Sequence, residues 1–163
     1  MTAPYRVGTG YDIHRLENNR DLIIGGVKIP YEKGLMGHSD ADVLIHAIID
    51  ALLGAAALPD IGTLFPDTDE KYKGADSSVL LKRVCTMISE KGYEIGNIDT
   101  NIIAQAPKMM PFIPEMKKHL AGVIDISIDN ISVKAKTNEK MDAVGQKLAI
   151  EANAVVMLIK KGV

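Results

Sequence analysis

Five stretches rich in Ile and Val alternate apolar and polar positions and predict β-strands: Arg6–Ile13, Leu22–Ile29, Asn97–Gln105, Ile131–Lys136 and Ala154–Lys160. Between them the apolar spacing lengthens to that of helices. The segment ADVLIHAIIDALLGAAA, Ala41 to Ala57, is apolar around most of its circumference, which predicts a helix buried against the sheet or against a second subunit. Ser77–Lys91 follows Asp76 as N-cap and stops at Gly92, a C′ glycine. A third helix, about Pro111–Leu120, begins among prolines and ends in Lys117, Lys118 and His119, cations suited to a helix C-terminus. Strands and helices mix without strict alternation. The fold class is therefore α+β, a single domain over residues 1–163 whose mixed sheet is covered by helices on one face. A sheet face left open calls for a partner, so oligomerisation is expected.

Composition narrows the class. A chain of 163 residues, 47% hydrophobic and 25% charged, has room for one core. A net charge of -2, 4% aromatics and no Trp disfavour nucleic acid as a partner. The N-terminal MTAPYRVGTGYDIHR lacks an apolar signal core, and no run reaches the ~18 apolar residues of a membrane span. The reading is a cytoplasmic protein with no membrane partner. The single Cys85 excludes an intramolecular disulfide and a cysteine zinc cluster, and its helical setting makes it a core thiol.

Four polar stretches interrupt these patterns. In GYDIHR, Asp12 and His14 lie two apart and share one face of a strand, with Ile13 turned the other way, toward the expected core. In GHSDADVLIHAIIDALLG, Gly37 to Gly54, Ser39 and Asp42 fit a capping-box-like helix start. Capping leaves His46 and Asp50 unexplained, although with His38 and Asp42 they form a stripe four residues apart. Burying His46 and Asp50 unpartnered would cost several kcal/mol. The stripe marks a functional face, with Asp50 as a partner that fixes a histidine tautomer. Asp12, His14 and His46 supply one oxygen and two nitrogens, the three-ligand pattern of catalytic zinc, but spacing alone also allows a surface charge pair. Asp60, Asp67 and Asp69 lie in a loop where turn chemistry would equally place them. AQAPKMMP, Ala104 to Pro111, ends a strand in exposed backbone that can read a base edge. KAKTNEK, Lys134 to Lys140, offers Thr137 and Glu139 to a phosphate and a hard cation, or is a solvated turn.

Together GYDIHR, GHSDADVLIHAIIDALLGAAALPDIGTLFPDTD, YKGADS, IIAQAPKM and VKAKTNEK resemble, in order and without large gaps, the 2-C-methyl-D-erythritol 2,4-cyclodiphosphate synthase family of the non-mevalonate isoprenoid route. The resemblance implies a homotrimer with active sites between subunits and a cytidine diphosphate substrate, 4-diphosphocytidyl-2-C-methyl-D-erythritol 2-phosphate. Its 2-phosphate attacks the β-phosphorus, closing the cyclic diphosphate and expelling CMP. The resemblance further implies that Asp12, His14 and His46 hold Zn²⁺ and that Glu139 holds Mg²⁺ or Mn²⁺, one of each per active site. His38 and Thr137 are implied as transition-state stabilisers. Ser39, Phe65, Pro66, Asp67, Thr68 and Asp69 are implied around the methylerythritol phosphate, which Asp12, His14 and His38 also touch. Asp60, Ile61 and Gly62 are implied at the ribose. The cytosine pocket falls on Ala104, Gln105, Ala106, Pro107, Lys108, Met109 and Met110, and Lys136, Thr137, Asn138 and Glu139 flank the diphosphate.

The resemblance breaks at MDAVGQKLAI, Met141 to Ile150, where Ala143, Gln146 and Leu148 replace an aromatic, an arginine and a glutamate of the family pattern. Those positions face a trimer cavity that can take an isoprenoid diphosphate, and loss of a bidentate phosphate donor predicts weaker or absent binding there. Two rivals use the same residues: a zinc phosphohydrolase, and a non-enzymatic binder of cytidine nucleotides.

Overall fold

A computed structural model describes residues 3–66 and 68–162. A long first strand, β1 (Tyr5–Asn18), leads into a hairpin, β2 (Leu22–Ile24) and β3 (Val27–Ile29), and a short β4 (Lys33–Leu35). Then follow α1 (Val43–Ala55), the single turn α2 (Ile61–Leu64), α3 (Ser77–Glu90) and β5 (Tyr93–Ile103). The chain closes with α4 (Ile113–Ile124), β6 (Ile131–Lys136), the turn α5 (Asp142–Gly145) and β7 (Ala149–Lys160). Five strands make one mixed sheet in the order β4-β1-β7-β5-β6, with only β5 and β6 parallel.

The sheet has one covered face, as the pattern predicts. Ile98, Thr100 and Ile102 of β5 and Ile150, Ala152, Ala154, Val156 and Leu158 of β7 are buried beneath the helices. On β1 the covered face carries Gly8 and Gly10. A Cβ on Gly8 would overlap the Ala51 carbonyl, and one on Gly10 the Ala47 carbonyl, so α1 lies directly on the strand backbone. That close approach brings His46 of α1 within reach of Asp12 on β1. Gly10→Ala should therefore cost about 2–3 kcal/mol of stability by overpacking. Urea unfolding of this variant at wild-type stability would contradict the close approach.

Several expectations need correction. Ile13 does not enter the core: it is 42% exposed on the sheet's uncovered face, beside exposed Val7, Tyr11 and Val155. The core lies on the same side as Asp12 and His14, because the two glycines let α1 cover that face. Helix α1 starts at Val43, not Ala41, and its N-cap is Asp42, whose carboxylate accepts Ile45 N–H. Leu22–Ile29 is a hairpin turned at Gly25 and Gly26, with φ of +60° and +74°. Helix α4 runs on to Ile124 and ends at left-handed Asp125, so Lys117, Lys118 and His119 sit mid-helix. By contrast α3 has its Asp76 cap and the positive-φ Gly92, and β6 has the expected bounds. Cys85 is a free, partly buried thiol packed against the core, and burial pushes its pKa up to about 11.

Candidate metal centre

Asp12 and His14 leave β1 on the α1 side, and His46 points back from α1. Asp12 Oδ2 lies 2.8 Å from His14 Nε2 and 3.1 Å from His46 Nδ1. The two ring nitrogens are 3.2 Å apart. Among the described residues this is the group of three whose ligand atoms lie close enough to hold a metal ion. Tetrahedral zinc with bonds of 2.0–2.1 Å needs ligand separations of about 3.3 Å, so the donor set fits with little adjustment.

Hydrogen bonding behind the rings shows which atoms face the centre. His14 Nδ1 is 2.7 Å from the Met36 carbonyl oxygen, which can only accept, so Nδ1–H donates and Nε2 keeps its lone pair for the centre. His46 Nε2 is 2.9 Å from Ser77 Oγ and 3.2 Å from Ser39 Oγ. A carboxylate oxygen and two lone-pair nitrogens within 3.2 Å of one another repel unless a cation sits among them. With a proton in place of the cation, burial pushes the Asp12 carboxyl up, but hydrogen bonds from His14 and His46 and their charge outweigh it and hold it below the ordinary carboxylate range.

The triad lies in a cleft of about 200 Å³ whose wall includes His38, Ser39, Asp50, Ile61, Gly62 and Phe65. His38 Nε2 is 3.3 Å from the Asp69 carbonyl oxygen. Ser39 Oγ accepts from Ala41 N–H at 3.2 Å. Phe65 is buried edge-on to Tyr72, and Pro66 is half-buried beside it. Asp60 caps α2 through Thr63 N–H at 2.9 Å; hydrogen bonding from the Thr63 side chain, then from its N–H, lowers the Asp60 carboxyl pKa, and Asp69 accepts from Lys71 N–H at 3.0 Å. Both carboxylates thus carry turn chemistry, as the local pattern allows. Thr68 is exposed, and Asp67 lies outside the described residues.

Two stripe residues have other duties. Asp42 accepts Gly25 N–H at 2.9 Å, Gly26 N–H at 2.7 Å and Ile45 N–H at 3.0 Å, pinning the β2–β3 turn to α1. Asp50 accepts Ile61 N–H at 2.8 Å and so anchors the Asp60–Gly62 turn; it makes no hydrogen bond to His46. Burial raises its carboxyl pKa. The partners of His46 are instead Ser39 and Ser77. Ser77 donates its hydroxyl proton to Asp40 Oδ1, and its N–H bonds Asp40 Oδ2 at 3.0 Å. Sequence reading passed over Asp40 and Ser77. The only local hint was that Ser77 follows an N-cap and is polar where α3 turns inward.

A second cluster lies elsewhere. Ala104 N–H bonds the Lys136 carbonyl at 2.9 Å, and Gln105 Oε1 accepts Lys140 N–H at 3.1 Å, so Ala104–Met110 and Lys136–Glu139 adjoin. The Ala106–Pro107 peptide is cis; Ala104 and Met109 are buried, while Lys108 and Met110 are exposed. Asn138 Nδ2–H donates to Asp142 at 2.8 Å. Thr137 donates to Glu139 Oε1 at 3.0 Å, and Glu139 and Lys140 turn left-handed at φ of +48° and +61°. Across the sheet Ile13 pairs with Glu151, Glu151 with Ile103, and Ile103 with Lys136. Three strand steps of about 4.8 Å put this cluster about 14 Å from the triad's strand. Within one chain the two clusters do not form one site.

Ala143 and Leu148 line a shallow cavity of about 500 Å³ on the uncovered face with Ile13, Arg15, Leu16 and Ala149. Gln146 is exposed where α5 ends.

Comparison with known proteins agrees over nearly the whole length. Residues 5–159 match the YgbB family. The 2-C-methyl-D-erythritol 2,4-cyclodiphosphate synthase of Alkaliphilus oremlandii is 59% identical over 155 residues, 95% of this chain and 99% of the relative. Among solved structures, a Plasmodium falciparum IspF in complex with CDP superposes with a TM-score of 0.87 at 39% identity, covering 99% of this chain and 100% of that one. The bifunctional IspDF of Campylobacter jejuni superposes with a TM-score of 0.92 at 42% identity over 96% of this chain, which spans 42% of that longer protein.

Proposed function

Because the chain belongs to the YgbB family, we propose that it is a 2-C-methyl-D-erythritol 2,4-cyclodiphosphate synthase. It converts 4-diphosphocytidyl-2-C-methyl-D-erythritol 2-phosphate to the 2,4-cyclodiphosphate with release of CMP, in the cytoplasm, through one synthase domain over residues 1–163. The observation that carries this reading is the convergence of Asp12 Oδ2, His14 Nε2 and His46 Nδ1 within 3.2 Å of one another at the wall of a cleft.

The reaction brings an anionic oxygen of the 2-phosphate onto the β-phosphorus. One P–O bond forms, and the bond from the β-phosphorus to the bridging oxygen breaks, so CMP leaves with the α-phosphate. Repulsion between anions is the main barrier, so positioning and charge neutralisation dominate. Asp12, His14 and His46 would hold Zn²⁺, and Glu139 would hold Mg²⁺ or Mn²⁺. When bound, these ions neutralise phosphate charge and polarise the P–O bonds. Glu139 as a lone carboxylate suits a hard ion that takes its other ligands from phosphates and water.

Around them the side chains bind and orient. His38 and Ser39 steady the attacking phosphate. Ser39 Oγ already accepts Ala41 N–H, which leaves its own proton free to donate. Phe65, Pro66, Thr68 and Asp69, with Asp67 outside the described residues, would contact the methylerythritol phosphate, and Asp60 to Gly62 receive the ribose hydroxyls. Ala104 to Met110 present backbone groups to cytosine, while Lys136 to Glu139 hold the diphosphate, with Thr137 on the leaving side.

A complete site needs the first cluster of one chain and the second of another. A homotrimer meets that need and would also cover the open face, where Val7 is 67% and Tyr11 53% exposed. Gln146 stands where the family pattern has an arginine, near the cavity lined by Ala143 and Leu148, so weaker or absent isoprenoid diphosphate binding is expected there.

The function is tested by incubating the protein with the diphosphocytidyl substrate, with and without chelator, and following phosphorus NMR. Equal amounts of CMP and cyclic diphosphate, suppressed by chelator, are expected. Inorganic phosphate without either product would instead indicate a phosphohydrolase.

A further inference from the structure

The triad reading leaves one polar chain unused. Behind His46, on the side away from Asp12 and His14, stands Ser77, the first residue of α3 and fully buried. Its Oγ lies 2.9 Å from His46 Nε2. Behind Ser77 stands Asp40, whose Oδ2 accepts Ser77 N–H at 3.0 Å and whose Oδ1 accepts Asp42 N–H at 3.1 Å and the Ser77 hydroxyl proton. A carboxylate has no proton to give, so the direction of every bond is set. Asp40 takes the Ser77 proton, and Ser77 Oγ then faces His46 with lone pairs only. His46 must therefore donate from Nε2, which leaves Nδ1 as its metal-facing atom.

We propose that Asp40 and Ser77 are positioning residues for the metal centre: by accepting Nε2–H of His46 they fix its tautomer and aim the Nδ1 lone pair at the cation. This inference rests on the metal reading above. A charge two bonds back along a hydrogen-bonded chain also raises the basicity of the ligating nitrogen. The same two residues tie the starts of α1 and α3 together, so the metal ligand's orientation is built into the packing of these helices. Ser39 Oγ, at 3.2 Å and already engaged by Ala41 N–H, is the weaker acceptor for the same proton.

The test compares Ser77→Ala and Asp40→Asn with the unaltered protein. Zn²⁺ alone is titrated against a chromophoric chelator, and the imidazole N–H of His46 is followed by nitrogen-edited proton NMR in the zinc-bound state. In the unaltered protein the Nε2–H proton should be shifted downfield and slow to exchange. Both variants should bind zinc about 10–100-fold more weakly. In both, the Nε2–H signal should move upfield and exchange faster while the backbone amide spectrum stays native. Zinc affinity within about twofold of the original, with the Nε2–H signal unmoved, would overturn the proposal. Should Asp40→Asn fail to fold, Ser77→Ala decides alone, since it removes only a hydroxyl. If the unaltered protein binds no zinc, the metal reading falls with it; if it binds zinc and the variants bind equally, only the positioning role falls.

Discussion

Replacing His46 with alanine is expected to leave the chain folded, strip it of zinc and abolish CMP release. The fold should survive because His46 sits on a helix whose other side chains, Val43, Leu44, Ile45, Ala47, Ile48 and Ile49, are buried and supply its packing. Alanine is also the best helix former. The change removes one of three ligand atoms, leaving Asp12 Oδ2 and His14 Nε2, 2.8 Å apart, without the third corner. Two ligands alone do not retain zinc against water and buffer. Losing the bound cation forfeits several kcal/mol of phosphate charge stabilisation, and about 4 kcal/mol corresponds to a thousandfold in rate. Circular dichroism, metal analysis and phosphorus NMR check the three parts separately. Full turnover by a zinc-free variant would remove His46 from the chemistry.

The largest effect on stability is expected from Asp42→Ala. Asp42 is fully buried and holds three backbone N–H groups, those of Gly25, Gly26 and Ile45. Burial pushes its carboxyl up to about 6, even though those N–H donors pull it down. Alanine would orphan the buried Gly25 N–H and the partly buried Gly26 N–H and remove the N-cap of α1. With 1–3 kcal/mol for each of the two glycine N–H groups and about 1 for the cap bond to Ile45, the loss should be about 3–7 kcal/mol. Asp42→Asn, which keeps one oxygen, should lose about half of that. Urea unfolding measures both, and a loss below about 1 kcal/mol for alanine would mean the β2–β3 turn is held by something else.

The same residue shows what the sequence made legible and what it did not. Period-four spacing predicts His38, Asp42, His46 and Asp50 as one stripe, but only His46 and Asp50 lie on α1: His38 precedes the helix and Asp42 is its N-cap. Spacing could not tell that Asp42 satisfies a distant glycine turn, or that Asp50 anchors the Asp60 turn, because both partners arrive through tertiary packing. His46 was the true odd residue, a polar ring in an apolar helix, and its partner strand was supplied by Asp12 and His14. Ile13 was misread for a related reason. Alternation says which residues share a face, but which face is covered depends on Gly8 and Gly10 admitting α1 against the backbone. Asp40 and Ser77 gave little signal beyond a polar residue where α3 turns inward, since an aspartate before a helix and a serine at a helix start are ordinary capping residues. The second cluster was legible as strand ends, Ala104 to Met110 and Lys136 to Glu139, yet nothing local shows that it sits at the far edge of the sheet from β1.

That separation makes testable the proposal that each site would be built from the His46 cluster of one subunit and the Glu139 cluster of its neighbour. The most direct measurement mixes two inactive proteins, His46→Ala and Glu139→Gln, under conditions that let subunits exchange, and follows CMP release. In mixed trimers some interfaces pair an intact His46 cluster with an intact Glu139 cluster, so turnover should recover to about a quarter of the unaltered rate at equal mixing. Mixed trimers that form, as shown by mass, yet release no CMP above either parent would contradict a site shared between subunits.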